Sequence, residues 1–206
     1  MDVTPIFEKW HLDKVLNGYQ KVYNDVFKNS KKAKNILEIG IGTTDPTLVS
    51  SMSYWSDGDY QDGHKYKTGN SLRAWRDLCK DANIWGVDVD CNAMFEENKI
   101  KTFCSSSMDY PGMKKILDTI DENFDIIIDD GLHTAEANLI TLDILFPYLK
   151  KGGTYVIEDI NQGMNDNAFD TILADYRFKR ATENVKSVAV YDGFAYQFTR
   201  VITITK

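Results

Sequence analysis

The sequence predicts an open α/β fold, a mostly parallel sheet with helices on both faces, and three observations carry that prediction. Short apolar runs at 36–42, 84–89, 124–128 and 154–157 lead into glycine or acidic residues, as buried parallel strands do where they reach a loop. Segments at 111–121 and 135–150 have helical character and alternate with those runs, which is the pattern of a parallel sheet covered by helices. The end differs. Strand-like runs at 187–191, 195–198 and 201–205 follow closely, the last two joined by a short link containing Arg200, and such strands pair as an antiparallel hairpin.

The 206 residues, 43% hydrophobic and 12% aromatic, fill one core but fall short of two ordinary domains, so residues 1–206 are read as a single domain. Residues 1–33 form a helical lead. Ile6, Trp10, Val15, Tyr19, Val22, Val26 and Phe27 recur at roughly helical spacing, giving an amphipathic helix or helix pair that packs against the core or over the active site. Residues 43–69 are polar and rich in Gly, Asp, Ser and Tyr, and a stretch this long without periodicity inside a compact domain reads as a functional lid or a mobile surface loop. Ser71 is expected to cap a helix running through Leu72, Ala74, Trp75 and Leu78. A helical segment near 93–98 and a strand at 102–104 complete the alternation.

A formal charge of −7, from 31 acidic and 24 basic residues, with no basic block longer than Lys31-Lys32-Ala33-Lys34, suits a neutral or metal-assisted substrate and excludes a nucleic-acid backbone. No window approaches the ~20 apolar residues that span a bilayer, and residues 1–10 contain Asp, Glu and Lys, so neither membrane insertion nor export is expected and the cytoplasm is the expected location. Cys79, Cys91 and Cys104 have neither metal-ligand spacing nor an even count, and reduced thiols are the expectation.

In an open α/β sheet, ligands sit beyond the carboxyl ends of the strands. The first strand ends in Glu38-Ile39-Gly40-Ile41-Gly42, where glycines let a ligand approach the backbone. A nicotinamide fingerprint would need a third glycine entering a helix, and Asp45-Pro46 occupies that region. The second strand ends in Gly86-Val87-Asp88-Val89-Asp90, which puts Asp88 where a carboxylate accepts from both hydroxyls of a ribose. Taken singly, such an Asp is more often a turn residue.

Acidic residues gather at two later strand ends, in Asp129-Asp130-Gly131-Leu132-His133 and in Ile157-Glu158-Asp159. Carboxylates buried together repel unless a cation or protons offset them, and hard oxygen ligands suit magnesium, manganese or calcium. His133, three residues past Asp130, is placed to act as a general base; a lone loop histidine is otherwise a capping or surface residue. Strand alternation sends Glu158 and Asp159 to opposite faces, so both converge only if the strand has ended at Ile157.

These motifs, with Gly69-Asn70-Ser71-Leu72-Arg73-Ala74-Trp75-Arg76, resemble the metal-dependent, S-adenosylmethionine-dependent sugar O-methyltransferases that modify deoxysugars of macrolide and tetracenomycin-type products. The resemblance covers about residues 34–160 and, loosely, the terminal strands. It implies a Rossmann-like class I methyltransferase fold with a mostly parallel seven-stranded sheet. It implies that Glu38, Gly40, Gly42, Ser71 and Asp88 bind S-adenosylmethionine, Ser71 at its amino-acid end, and that Asp130, Glu158 and Asp159 ligate Mg2+ or Mn2+ with His133 as catalytic base. Ser107 stands for the adenine contact, although Cys104-Ser105-Ser106-Ser107-Met108-Asp109 only loosely follows the family's Gly-Asp-Gln-like loop, and Leu132 replaces a usual serine.

The implied substrate is a sugar hydroxyl, of rhamnose or another deoxyhexose, with Tyr54, Trp55 and His64 of the lid as its contacts. Partners are then a carbohydrate or glycoside, no nucleic acid and no membrane, and self-association into a homo-oligomer is allowed for. Family members carry a longer amino-terminal portion than the about 33 residues before the first strand here, so the chain is read as a minimal or excised catalytic domain. A catechol-type O-methyltransferase, a non-catalytic cofactor-binding subunit and a nicotinamide-dependent oxidoreductase are the alternatives.

Overall fold

Strand β1 (Asn35–Ile39) is buried at every position, as a strand covered on both faces must be. In a computed structural model, which describes residues 1–29, 32–48, 51–52, 66–161, 167–192, 194 and 199–206, β1 runs parallel to β2 (Asn83–Asp88) on one side and β5 (Phe124–Asp129) on the other. β2 is parallel to β4 (Ile100–Cys104), and β5 to β6 (Leu149–Asn161). Three further pairings are antiparallel: β3 (Glu96–Glu97) on β4, β8 (Thr199–Thr205) on β6, and β7 (Ser187–Tyr191) on β8. The order is β3-β4-β2-β1-β5-β6-β8-β7.

Alternation of side chains along these strands divides the core. Ile36, Ile84, Ile126 and Val156 face helices α1 (Thr4–Lys9), α2 (Lys14–Asn17), α3 (Gln20–Asn29) and α4 (Asn70–Leu78), whereas Leu37, Val87, Ile127 and Tyr155 face α5 (Tyr110–Ile120), α6 (Ala135–Leu145) and α7 (Ala168–Ala174). On the first face Tyr23 and Phe27 stack on Trp75 with ring centroids 4.8 and 5.4 Å apart, and Phe7 meets Trp75 edge-on at 5.6 Å. Such contacts lock α3 against α4 and fix the Tyr23 hydroxyl and the Trp75 indole N–H that serve the site. A final helix, α8 (Tyr176–Thr182), precedes β7.

Several expectations are corrected. Among the described residues the sheet has eight strands rather than seven, because the segment near 93–98 forms a 3-10 turn at Cys91–Ala93 and then β3. Thr102 Oγ bonds both backbone groups of Phe95, which draws this segment onto β4 instead of into a helix. The helix expected to reach 150 stops at Leu145, where Pro147 forces a 3-10 turn and β6 begins. The hairpin is built from β7 and β8; the strand expected at 195–198 lies outside the described residues. Gly69, not Ser71, caps α4, in left-handed backbone with φ 72°.

The cysteines also differ from expectation. Cys91 and Cys104 form a disulfide with Cα atoms 4.9 Å apart, because the pairing of β2 with β4 brings the two strand ends side by side. Cys79 is buried outside that bond. Among the described residues no helix is long and apolar enough to cross a membrane.

Candidate active site

A cavity of about 460 Å3 opens at the carboxyl ends of the parallel strands, within the range of small-molecule pockets. Gly40 and Gly42 line its floor with φ of 80° and 75°. A Cβ on Gly40 would lie 2.0 Å from the Asp130 carbonyl oxygen, and one on Gly42 would lie 2.0 Å from the Tyr66 hydroxyl. The glycines therefore seat the first loop against Asp130 and under Tyr66, whose hydroxyl donates to the Ile41 carbonyl at 3.0 Å.

Asp88 lines the same cavity and is 4% exposed. One carboxylate oxygen accepts from Ile41 N at 2.9 Å and the other from Asp90 N at 3.0 Å. Each retains a lone pair for a ligand hydroxyl. Ser105, Ser106 and Ser107 continue the wall, tied to the β2 loop by Ser105 N donating to the Asp88 carbonyl at 2.9 Å and by the disulfide.

Glu38 is fully buried behind the lining. It accepts from Ser71 Oγ at 2.7 Å and Trp75 Nε1 at 2.9 Å, and Oε1 has no partner among the described residues. Burial pushes its carboxyl up to about 7. Ser71 itself lines the cavity, so Glu38 acts on that wall by orienting the Ser71 hydroxyl.

The acidic strand ends meet at the same cavity, which Asp130 and Asp159 both line. One oxygen each of Asp130 and Asp159 and a ring nitrogen of His133 lie within 4.8 Å of one another. His133 Nε2 is 3.1 Å from Asp130 Oδ1 and 3.9 Å from Asp159 Oδ2. Asp159 also accepts from the Tyr19 hydroxyl. Glu158, 1% exposed, lies behind this group, accepting from Lys14 Nζ at 2.6 Å on Oε2 and from the Tyr23 hydroxyl on Oε1. Glu158 and Asp159 thus serve neighbouring parts of one cluster although β6 has not ended. Its pairing with β8 shifts register between Ile157 and Ile160, and Asp159 takes φ 50°, which breaks the alternation that would separate them.

Electrostatics follows this geometry. Burial alone would raise Asp130, but the Lys14 ammonium and His133 outweigh it and hold the carboxyl below the usual range. Burial, with Asp130 adding repulsion, raises Asp159; burial pushes Glu158 up to about 7. Burial would lower His133, yet the hydrogen bond and charge of Asp130, helped by Asp159, push it up to about 9. Two carboxylate oxygens converging at one point suit a small divalent cation, and the imidazole nitrogen beside them is placed to accept a proton from whatever that cation holds.

The segment Leu12-Asp13-Lys14 also lines the cavity, so the helical lead contributes to the candidate site. Tyr54, Trp55 and His64 lie outside the described residues; of the loop at 43–69, Leu48, Ser51, Met52 and Tyr66 line the cavity.

No protein-family model matches the chain. It is 38% identical over 146 residues to the demethylmacrocin O-methyltransferase of Streptomyces fradiae, an alignment spanning 70% of this chain and 32% of the relative. It is 26% identical over 153 residues to the 8-demethyl-8-alpha-L-rhamnosyl tetracenomycin-C 2'-O-methyltransferase of Streptomyces olivaceus, spanning 74% and 35% respectively. The MycE methyltransferase of the mycinamycin biosynthetic pathway, solved in complex with Mg and SAH, matches with a TM-score of 0.72 at 21% identity, covering 100% of this chain and 55% of that one. This chain has the class I methyltransferase fold. It spans about a third of the length of these curated relatives, both named as O-methyltransferases and the second as one acting on a rhamnosyl compound.

Within this class I methyltransferase fold, the reading of the sequence assigned no site role to Asp13, Lys14, Tyr19 or Tyr23, whereas Tyr66 was read as part of the aromatic lid and lines the cavity. A signal existed for Lys14, which follows Trp10 by four positions and so falls on the buried stripe of the lead. Tyr19 stands in that stripe too, but an apolar pattern does not say where a hydroxyl ends.

Proposed function

We propose that this chain is an S-adenosylmethionine-dependent O-methyltransferase that methylates a sugar hydroxyl, of rhamnose or another deoxyhexose in a glycan or glycoside, with a divalent ion and a histidine base. The observation that carries the reading is the convergence of Asp130, Asp159 and His133 on the cavity that Gly40 and Asp88 also line. The rhamnosyl substrate of the tetracenomycin relative supports the sugar acceptor. The net charge of −7 supports a carbohydrate partner over nucleic acid, and the proposed setting is the cytoplasm.

The cofactor supplies an electrophilic methyl group. Asp88 would hold its ribose, Ser105 to Ser107 would flank its base, and Ser71, oriented by Glu38, would meet its amino-acid end. Mg2+ or Mn2+ would be held by Asp130 and Asp159, with Glu158 as the third carboxylate brought in from behind. When bound, the ion supplies Lewis acidity toward the acceptor hydroxyl and cancels carboxylate charge that keeps His133 protonated. Neutral His133 would then take the hydroxyl proton at Nε2, and the cavity walls would hold oxygen and methyl carbon in line.

The test is S-adenosylhomocysteine release from a panel of rhamnosides and catechols, with and without EDTA. Turnover on a rhamnoside that EDTA abolishes supports the reading. Turnover on catechols alone replaces the acceptor, and EDTA-insensitive turnover removes the ion.

A further inference from the structure

Lys14 is 3% exposed, yet its side chain carries an ammonium into the acidic wall. Nζ lies 2.8 Å from Asp130 Oδ2 and 2.6 Å from Glu158 Oε2. A buried ammonium is costly to desolvate, and so are the carboxylates around it; each is tolerable because the other is there. The surroundings hold Lys14 in this position. Gly18, in left-handed backbone at φ 82°, closes the one-turn helix that carries it, the Tyr23 ring lies 5.9 Å from Nζ, and the Tyr23 hydroxyl occupies the other oxygen of Glu158.

We propose that Lys14 is a resident cation of the carboxylate cluster, which holds Asp130 and Glu158 together when no divalent ion is bound and competes with that ion for the same two side chains. The ammonium engages Asp130 Oδ2 and leaves Oδ1 facing His133 and Asp159. It also takes the only Glu158 oxygen that Tyr23 does not. A divalent ion that recruits Glu158 must draw Oε2 away from Lys14, and any ion on Asp130 stands beside a like charge. Lys14 thus makes the cluster persistent without metal and makes metal binding weaker and reversible. The competition rests on the metal reading given above; the counterion role does not.

Mn2+ binding, followed by loss of the free-ion EPR signal, and thermal unfolding in EDTA test both parts on wild type, Lys14→Met and Lys14→Arg. Lys14→Met is expected to bind Mn2+ about tenfold more tightly than wild type and to unfold at lower temperature in EDTA, with Mn2+ restoring the loss. Lys14→Arg, which keeps the charge, should stay near wild type in affinity. Adding Glu158→Gln to Lys14→Met should recover stability in EDTA by removing the uncompensated carboxylate. Equal Mn2+ affinity of Lys14→Met and wild type overturns the competition. Binding by no variant sinks the metal reading and the competition with it, and the EDTA melts still decide the counterion role, which falls if Lys14→Met is as stable as wild type.

Discussion

Arg73 clamps Glu97 from α4 across to β3, with Nη2 donating to Oε1 at 2.7 Å and Nε to the same oxygen at 3.1 Å. The Arg73 side chain is 3% exposed and also donates to the Thr68 carbonyl at 2.7 Å, so the pair ties the end of the 43–69 loop to the sheet edge. The Arg73 hydrogen bonds, against a smaller cost of burial, hold Glu97 down at about 2. A carboxyl depressed in the folded state contributes stability that is complete above its unfolded pKa, near 4.5, and is lost as pH falls through about 2. Glu97→Gln should cost about 1 kcal/mol at pH 7, and its melting curve should approach that of wild type between pH 4.5 and 2. Parallel losses at every pH would show that the pair is idle.

His133→Ala should lower turnover on an accepted rhamnoside by roughly 100- to 10,000-fold, the usual yield of general-base catalysis. Cofactor affinity by calorimetry should stay within about twofold, because no hydrogen bond joins His133 to the Gly40 or Asp88 loops among the described residues. Loss of cofactor binding in this variant would reassign His133 to the cofactor.

The disulfide closes a loop with a sequence separation of 13, and a cross-link of that size stabilises by about 2–3 kcal/mol through the unfolded chain. Cys91→Ser with Cys104→Ser, or reduction of wild type, should lower the urea midpoint accordingly. Cofactor affinity should fall as well, since the bridge joins the loop of Asp88 to that of Ser105–Ser107. A midpoint indifferent to reductant would show that the bridge contributes nothing.

Gly40→Ala should be among the most damaging single-methyl additions. The new Cβ meets a backbone oxygen, that of Asp130, at 2.0 Å, and φ of 80° is unfavourable for alanine. A loss of about 3 kcal/mol or more is expected in urea unfolding, together with loss of cofactor binding. A variant as stable as wild type would mean that the β1 and β5 loops separate freely.

The sheet was legible because β1, β5, the later part of β2 and residues 154–157 of β6 are largely buried and read as apolar runs. β3 was not, because two residues carry no period and only the partner Thr102 reveals the pairing. Of the site, the residues at strand ends could be found because topology puts them there. Tyr23 could not, because its hydroxyl reaches Glu158 across 135 positions of sequence, and the spacing that marks Lys14 as buried does not say that its ammonium meets the same carboxylate 144 positions away. The Cys91–Cys104 bond was hidden by an odd cysteine count, which hides any pair that leaves one over.

His133 and Asp159 both sit in left-handed backbone, at φ 58° and 50°, which a non-glycine residue adopts only at a cost of about 1 kcal/mol or more. Asp159 stands where the ladder between β6 and β8 shifts register, whereas Asp130 and His133 stand on the loop that leaves β5. The constellation therefore joins a loop of the parallel sheet to a bulge whose shape depends on an antiparallel neighbour. A change that loosened the pairing of β8 would displace Asp159 and leave Asp130 and His133 in place, so the two halves of the cluster answer to different parts of the sheet.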